Sequence, residues 1–292
     1  MRRFLIVTAD DFGLHEAVNE AVEEAVRRGV LSAASIMVAA PAADDAIRRA
    51  RALPQLRVGL HLTLADGAAA LPPQAIPDLV DRSGRFGDSM FRDGCRYFAL
   101  PSVRRQLEAE IRAQFAAFAA TGLALDHVNA HKHFHLHPTL LGIVLRVGAE
   151  FGLRAVRVPA EPLWFSMRRA PVGALLAAAG LGPWLALMRR RLRRAGIACN
   201  DHIFGVAASG AMDERTLLEA LARLPDGVTE IYLHPATRSG TAISTSMGGY
   251  RHEAELAALT SARVRDAIVR TGAACGGYGD LSGNAGAGSG SL

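Results

Sequence analysis

Histidines and aspartates stand at the ends of several apolar runs, and their side chains are those best suited to chemistry in this sequence. Asp10 and Asp11 follow FLIVTA, His61 lies in VGLHLTL, and His234 lies in EIYLHPAT. A further tract, HVNAHKHFHLHP, holds five of the ten histidines. One carboxylate with two imidazoles is a common set of metal ligands that leaves positions open for water and substrate. The residue types therefore indicate a metal site.

The neighbouring carboxylates Asp10 and Asp11 need a physical reason to stand together. Two adjacent negative charges repel, so an unpartnered pair at a buried strand end is unfavourable. Either the pair lies in a solvated turn, or a cation and proton chemistry lie beside it. Because several predicted strands end in Asp or His, and catalytic groups collect at the carboxyl ends of parallel strands, the second interpretation is favoured.

The histidine tract lies between apolar segments of the chain. Its members at alternate positions are His131, His133, His135 and His137, which share one face if the chain is extended there. Pro138 then favours the start of a helix, so the tract reaches the carboxyl end of a strand. Such tracts also occur as nonspecific metal-binding segments. The position of this one inside the apolar pattern favours a functional site.

Apolar runs rich in Val, Ile and Leu alternate with helical patterns, which is typical of βαβ units and a parallel sheet. Strands are predicted at 4–9, 34–39, 57–62, 126–131, 154–158, 229–233 and 274–278. Helices are predicted at 15–28, 43–52, 102–121, 138–151, 213–223 and 252–271. This order predicts an α/β fold, a distorted (β/α) barrel with about seven strands, with a doubly wound open sheet as the alternative.

Two segments follow neither pattern. Residues 66–100 contain three prolines and several glycines, and we predict a long loop insertion there. Residues 160–210 include the apolar stretch 171–188, which is followed by the basic run RRRLRR. We predict a helical hairpin that caps the barrel; the alternative is an interfacial element, 171–194, whose arginines contact anionic lipid headgroups.

Composition limits the class of protein. With 292 residues, half of them hydrophobic, the chain can form one large domain, predicted over 1–283 and followed by a disordered Gly/Ser tail at 284–292. The net charge of +5 is spread out and no nucleic-acid-binding module is present, so nucleic acid is not expected as a partner. Three widely spaced cysteines and the absence of a signal-peptide pattern predict a cytoplasmic protein.

Four motifs together resemble one known family. The sequence has ADDFG after the first predicted strand, GLHLTL after the third, the HxHxHxHP segment, and a later LHPA. This combination resembles the YdjC-like carbohydrate deacetylases over almost the whole chain, to about residue 283. Within that family, the runs VTADDFGLHEAVNEAVEEA, PDLVD and LDHVNAHKHFHLHP are most similar to the hopanoid biosynthesis-associated deacetylase branch.

The resemblance implies a barrel like that of the polysaccharide deacetylases (NodB-like) and one divalent metal ion. By motif position, it implies Asp11, His61 and His131 as metal ligands. It also implies Asp10 as the general base and His234 as the general acid. Zn²⁺ is the metal that two imidazoles and a carboxylate favour, with Mg²⁺, Mn²⁺ or Co²⁺ as alternatives. Two further residues are expected at the substrate, His133 and Arg157. For Arg157, contact with a sugar hydroxyl, a bond to Asp10 and a position on the surface are the alternatives.

The implied reaction removes the acetyl group from an N-acetylglucosaminyl group attached to a hopanoid lipid. The partner would then be an amino-sugar substrate, lipid-linked, reached by peripheral contact with the inner face of the cytoplasmic membrane. Two alternatives stay open. One is deacetylation of soluble chito-oligosaccharides, and the other is a non-catalytic metal-binding protein that uses its histidine tract.

Overall fold

A single sheet of parallel strands organises the molecule. The structure, a computed structural model, describes residues 3–239 and 243–281. Its strands are β1 (Arg3–Phe12), β2 (Ala33–Ile36), β3 (Arg57–Leu62), β4 (Val128–Ala130), β5 (His202–Phe204), β6 (Gly227–Leu233) and β7 (Ala274–Cys275). Their order in the sheet is β4-β3-β2-β1-β6-β5, and β7 pairs with β1.

The gap between β4 and β5 is bridged by an irregular segment, so the sheet curves into a distorted barrel. The N–H of Val128 donates to the carbonyl of Ala155 at 2.9 Å, and the N–H of Val156 donates to the carbonyl of Ala198 at 3.0 Å. The predicted strand 154–158 is therefore present only as isolated bridges, to β4 on one side and to the chain leading into β5 on the other. The barrel is confirmed, and the open-sheet alternative is wrong.

The helices surround the barrel on its outer side. They are α1 (Glu16–Arg28), α2 (Ala43–Arg51), α3 (Met90–Ala99), α4 (Pro101–Ala120), α5 (Pro138–Glu150), α6 (Leu163–Ser166), α7 (Val172–Arg194), α8 (Glu214–Ala222), α9 (His252–Thr260) and α10 (Ala262–Thr271). The predicted helix 252–271 is two helices, because Ser261 is extended and its hydroxyl accepts from the N–H of Arg263 at 3.1 Å.

Three further sequence predictions need correction. The loop insertion at 66–100 ends in a helix, α3. The hairpin predicted at 160–210 is the short α6 and the long α7, followed by β5, whose three residues are too few for a periodic signal. The strand predicted at 126–131 is only β4, since the histidine tract that follows is a 3-10 helix over His131–Leu136. The tail at 284–292 lies outside the described residues.

Alternation along β1 decides which side chains enter the barrel. Leu5, Val7 and Ala9 join the main hydrophobic core with the surrounding helices. Phe4 and Ile6 belong instead to a small second cluster that includes Tyr278. Successive residues of a strand point to opposite faces, so Asp10 lies on the same inward-facing side as Phe4 and Ile6. Asp11 would face the helices, like Leu5 and Val7, if the strand were regular.

Candidate metal centre and active site

An irregularity at the end of β1 brings both adjacent aspartates into the barrel mouth. The register between β1 and β2 shifts between Ala9 and Phe12, and Asp11 has a left-handed backbone with φ of 61°. A bulge of this kind turns one side chain away from the face that alternation would give it. Both carboxylates are buried, but their hydrogen-bond partners are different residues.

Asp11 lies beside two histidines from β3 and from the start of the 3-10 helix. Its Oδ1 is 3.1 Å from Nε2 of His61 and 3.0 Å from Nδ1 of His131, and these two nitrogens are 3.4 Å apart. One ligand atom from each residue lies within 4.8 Å of the others. Oδ2 of Asp11 is buried without a hydrogen-bond partner. The three predicted ligands therefore converge, and their donor set fits a divalent metal ion such as Zn²⁺.

The ring of His61 is oriented by two polar residues that the sequence reading did not select. Its Nδ1 lies 2.7 Å from Oδ1 of Asn129 and 3.0 Å from Oγ of Ser35. Because the amide oxygen can only accept, it favours the tautomer with the proton on Nδ1, which leaves the lone pair of Nε2 free for a metal. Asn129 could have been found from the sequence, since it alternates with His127 and His131 in HVNAH.

Asp10 is held by a different set of partners. Nη1 and Nη2 of Arg157 donate to its two oxygens at 2.5 and 2.8 Å, and Oγ of Ser35 donates to Oδ1 at 2.8 Å. Burial raises the pKa of Asp10, but the charges of Arg157 and His61 outweigh it and hold that pKa far below its ordinary value. Asp10 is thus ionised throughout the physiological range, and it lines the cavity at the barrel mouth.

Arg157 also binds a second buried carboxylate, Glu230 of β6. Nε and Nη2 of Arg157 donate to Glu230 at 2.9 and 2.8 Å, and the hydroxyls of Thr8 and Tyr278 donate to the same carboxylate at 2.7 and 2.6 Å. The Arg157 side chain is completely buried. Contact with substrate is therefore excluded in this structure, and of the two roles considered for Arg157 the geometry favours holding Asp10. Glu230 could have been found from the sequence, because a carboxylate inside the apolar run of β6 is rarely buried without a partner.

His234 follows β6 and faces the ligands from the opposite wall of the cavity. Its Nε2 lies 3.8 Å from Oδ2 of Asp11, and its Nδ1 is buried without a partner. The rings of Tyr250 and Tyr232 pack edge-on against it, with centroids 5.1 and 5.6 Å away. Burial lowers the pKa of His234, while the charges of Asp11 and Asp10 oppose that effect. These two tyrosines are also cavity residues that the sequence reading missed.

The histidine tract does not present its histidines on one face as predicted. Lys132 and His133 both have φ of 55°, so the chain turns at once after His131. Nε2 of His133 lies 3.0 Å from Oη of Tyr232, and both residues line the cavity. Nε2 of His135 instead bonds the carbonyl of Arg157 at 2.9 Å, and burial lowers the pKa of His135 to about 4.

The cavity at the barrel mouth has a volume of about 220 Å³. One aspartate, four histidines and two tyrosines form most of its walls, and two of the histidines are predicted ligands. These residues are Asp10, His61, His131, His133, His234, Tyr232 and Tyr250, with Lys132, Val206, Ser209, Ser246 and Met247 around them. A larger cleft of about 520 Å³ lies at the opposite end of the barrel, around Arg57 and Asp126. It includes none of the ligand residues, so the smaller cavity is the candidate active site.

Comparisons with known proteins show which family the chain resembles. The sequence matches the YdjC-like protein family over residues 4–270. It is 32% identical over 268 residues to a carbohydrate deacetylase of Brevibacillus brevis, covering 90% of this chain and 94% of the relative. It is 29% identical over 288 residues to a chitooligosaccharide deacetylase of Serratia marcescens, covering 96% and 100%. A crystal structure from Enterococcus faecalis, assigned provisionally to cellobiose-phosphate cleavage, superposes with a TM-score of 0.74 at 25% identity, covering 96% of this chain and 99% of that one.

Proposed function

We propose that this chain, which belongs to the YdjC-like protein family and is a carbohydrate deacetylase like the relatives it matches, hydrolyses the N-acetyl group of an amino sugar with one divalent metal ion. The observation that carries the proposal is that the two neighbouring aspartates have different partners. Asp11 lies with His61 and His131, whereas Asp10 is bonded to Arg157 and faces the same cavity.

Amide hydrolysis needs a nucleophile stronger than neutral water and a proton for the leaving nitrogen. A metal ion at Asp11, His61 and His131 would supply Lewis acidity, which polarises the acetyl carbonyl and makes water more acidic. Asp10 accepts the proton of the attacking water; Arg157 keeps it ionised and fixes its orientation. His234 delivers a proton to the nitrogen from the opposite wall.

The finer substrate that we propose is an N-acetylglucosaminyl group linked to a hopanoid lipid. Similarity of the runs at the start of the chain and around the histidine tract to the hopanoid-associated branch supports it. The location that follows is the cytoplasm, with peripheral contact to the inner face of the membrane through 171–194. Soluble chito-oligosaccharides are the second candidate, which the name of the Serratia marcescens relative favours.

The direct test is a mass measurement on two substrates incubated with protein and Zn²⁺. Loss of one acetyl group from acetylglucosaminyl-hopanoid supports the lipid-linked substrate. Loss from diacetylchitobiose alone would move the assignment to soluble oligosaccharides. Loss from neither, with a metal-loaded and folded protein, would contradict the deacetylase proposal.

The Asp10→Asn variant separates catalysis from metal storage, because a storage protein has no use for a carboxylate that does not bind the metal. We expect acetate release to fall by more than about a hundredfold, in line with the loss of a general base. Metal content, measured by elemental analysis, should stay near that of the parent. A variant that loses its metal would show that Asp10 is itself a ligand.

A further inference from the structure

Exposed apolar side chains are concentrated in two segments of the chain. Within the described ranges, ten of eleven exposed large hydrophobic side chains lie in 91–100, in 163–187 or at the cavity residue Val206. On α3 and just after it they are Phe91, Phe98 and Leu100; on α6, α7 and the turn between them they are Leu163, Met167, Val172, Leu176, Leu181 and Leu187. We call these nine residues the apolar face. The eleventh, Val269, lies on α10.

Helix α7 contributes four of the nine residues of the apolar face. It has no charged residue before Arg189, and most of the described side chains over 172–183 are exposed, with Leu176 69% accessible. Such a surface in water is unfavourable, and extended apolar patches usually mark a contact site. In the part of the chain that the structure describes, no helix combines the length and hydropathy needed to cross a bilayer.

Helices α3 and α7, which carry most of the apolar face, both contact the segment that carries the predicted ligand His131. The ring of Phe134 packs against Tyr97 of α3 with centroids 5.4 Å apart. On the other side, Nε1 of Trp184 in α7 donates to the carbonyl of Leu136 at 2.8 Å. The two helices therefore flank the segment at whose other end the candidate active site opens.

Charge beside the apolar face determines which partner it fits. A cleft of about 310 Å³ at the end of α7 has Trp184, Leu187 and Met188 as its apolar lining and Arg190, Arg191 and Arg194 as its charged lining. Over the described residues, none of these three arginines forms an ion pair with a carboxylate. Arginine guanidinium groups bind phosphate. Basic groups beside apolar side chains that insert into the lipid are typical of interfacial binding to anionic membranes.

We propose that the apolar face and the three arginines dock the protein on an anionic bilayer surface, with the mouth of the candidate active site next to the lipid headgroups. The apolar side chains enter the headgroup boundary and the arginines contact lipid phosphates. The docking deepens the proposed function, since it would present a lipid-linked sugar to the cavity. It adds α3 to the element that the sequence singled out.

Sedimentation of the full chain with vesicles tests the docking without using turnover. Vesicles of phosphatidylcholine alone are compared with vesicles containing 30% phosphatidylglycerol, at about 0.1 M salt, where surface charges still interact over about 10 Å. We expect at least tenfold stronger binding to the anionic vesicles, and weakening as salt rises. Leu176→Glu/Leu181→Glu and Phe91→Glu/Phe98→Glu should each reduce binding at least about tenfold, since a charged side chain resists burial among acyl chains.

The matched control is Val269→Glu, which alters an exposed large hydrophobic side chain on α10, outside both segments and outside the cavity, and should bind as the parent does. Circular dichroism and the thermal midpoint establish that each variant is folded. Because the two double variants lie on different helices, the test remains possible if one of them does not fold. Equal binding by all folded variants would overturn the proposal. The proposal would also be overturned if the parent bound no vesicles and light scattering showed a dimer that the double variant Leu176→Glu/Leu181→Glu dissociates. Binding with no acetate release from any substrate would leave docking intact and refute only the proposed function.

Discussion

At the scale of single residues, the central feature is one guanidinium shared by two buried carboxylates. Arg157 forms ion pairs with Asp10 and with Glu230, and all three side chains are buried. Burial lowers the pKa of Arg157, but the charges of Asp10 and Glu230 raise it well above its ordinary value. Arg157 therefore stays charged, and it fixes the position of the proposed base.

Removing that guanidinium should destabilise the protein strongly. Arg157→Met leaves Asp10 and Glu230 buried without a cation, and breaking a buried ion pair in this way costs about 3–5 kcal/mol. Urea unfolding at pH 7 measures the free energy of unfolding. Adding Glu230→Gln to Arg157→Met should recover part of the loss, because one uncompensated charge is removed. A loss below about 1 kcal/mol in the single variant would contradict this account.

At the scale of elements, loops at the carboxyl ends of the strands set the cavity walls. Gly210 has φ of 73°, and a Cβ added there would lie 2.3 Å from the ring of Tyr250. Tyr250 lines the cavity, and its hydroxyl lies 2.9 Å from Oγ of Ser209. The loop after β5 therefore reaches its position only with glycine at 210, and the position of Tyr250 depends on it.

Gly210→Ala should displace Tyr250 and impair substrate binding. We expect KM to rise at least about tenfold, which corresponds to about 1.4 kcal/mol of lost binding. The matched control is Gly272→Ala after α10, which has φ of 65° but open space around the added Cβ. Both variants should lose about 1 kcal/mol of stability from the left-handed backbone, and only the first should change KM. Equal kinetics in the two variants would rule out the proposed positioning of Tyr250.

At the scale of the whole molecule, one buried carboxylate links stability to pH. Glu255 of α9 accepts the backbone N–H groups of Met212 and His234 at 2.8 and 2.5 Å. Burial raises its pKa from 4.5 to about 7, and the two N–H donors only partly oppose that rise. The folded state therefore holds the proton more tightly than the unfolded chain does.

The sign of the pH effect follows from that difference. The contribution of Glu255 to stability is complete below about pH 4.5 and is lost as pH rises through about 7. The difference between the two pKa values corresponds to about 3 kcal/mol of stability. Between pH 5 and pH 8, the free energy of unfolding of the parent should fall more steeply than that of Glu255→Gln. Parallel curves would show that Glu255 does not titrate in this range.

Metal binding should stabilise the whole barrel, because its ligands come from β1, β3 and the segment after β4. A ligand that binds only the folded state adds about 2.7 kcal/mol at one hundred times its Kd. Zn²⁺ should therefore raise Tm in the parent and in His133→Ala, whose ring is not a proposed ligand. His131→Ala should show little change. A similar rise in all three proteins would place the metal elsewhere.

The sequence by itself determined the strand ends and the residue types that stand there. Apolar runs predicted β1, β3, β6 and the strand before His131, and parallel strands bring their carboxyl ends to one edge, so the Asp and His residues there could be grouped without coordinates. The choice of Asp11, His61 and His131 as metal ligands came from the family resemblance. Motif order added the family, which the comparison over residues 4–270 confirms.

Only the tertiary structure decided how those residues act on one another. The bulge that turns Asp11, the bond from Arg157 to Asp10 across 147 positions, and the second carboxylate at Glu230 depend on contacts between distant segments. Local propensity carries no information about such contacts. Nor did local propensity give a reason for the turn after His131. The periodicity of a strand or helix determines on which face a residue lies. Which residues it contacts there is decided only when distant segments pack together in the barrel.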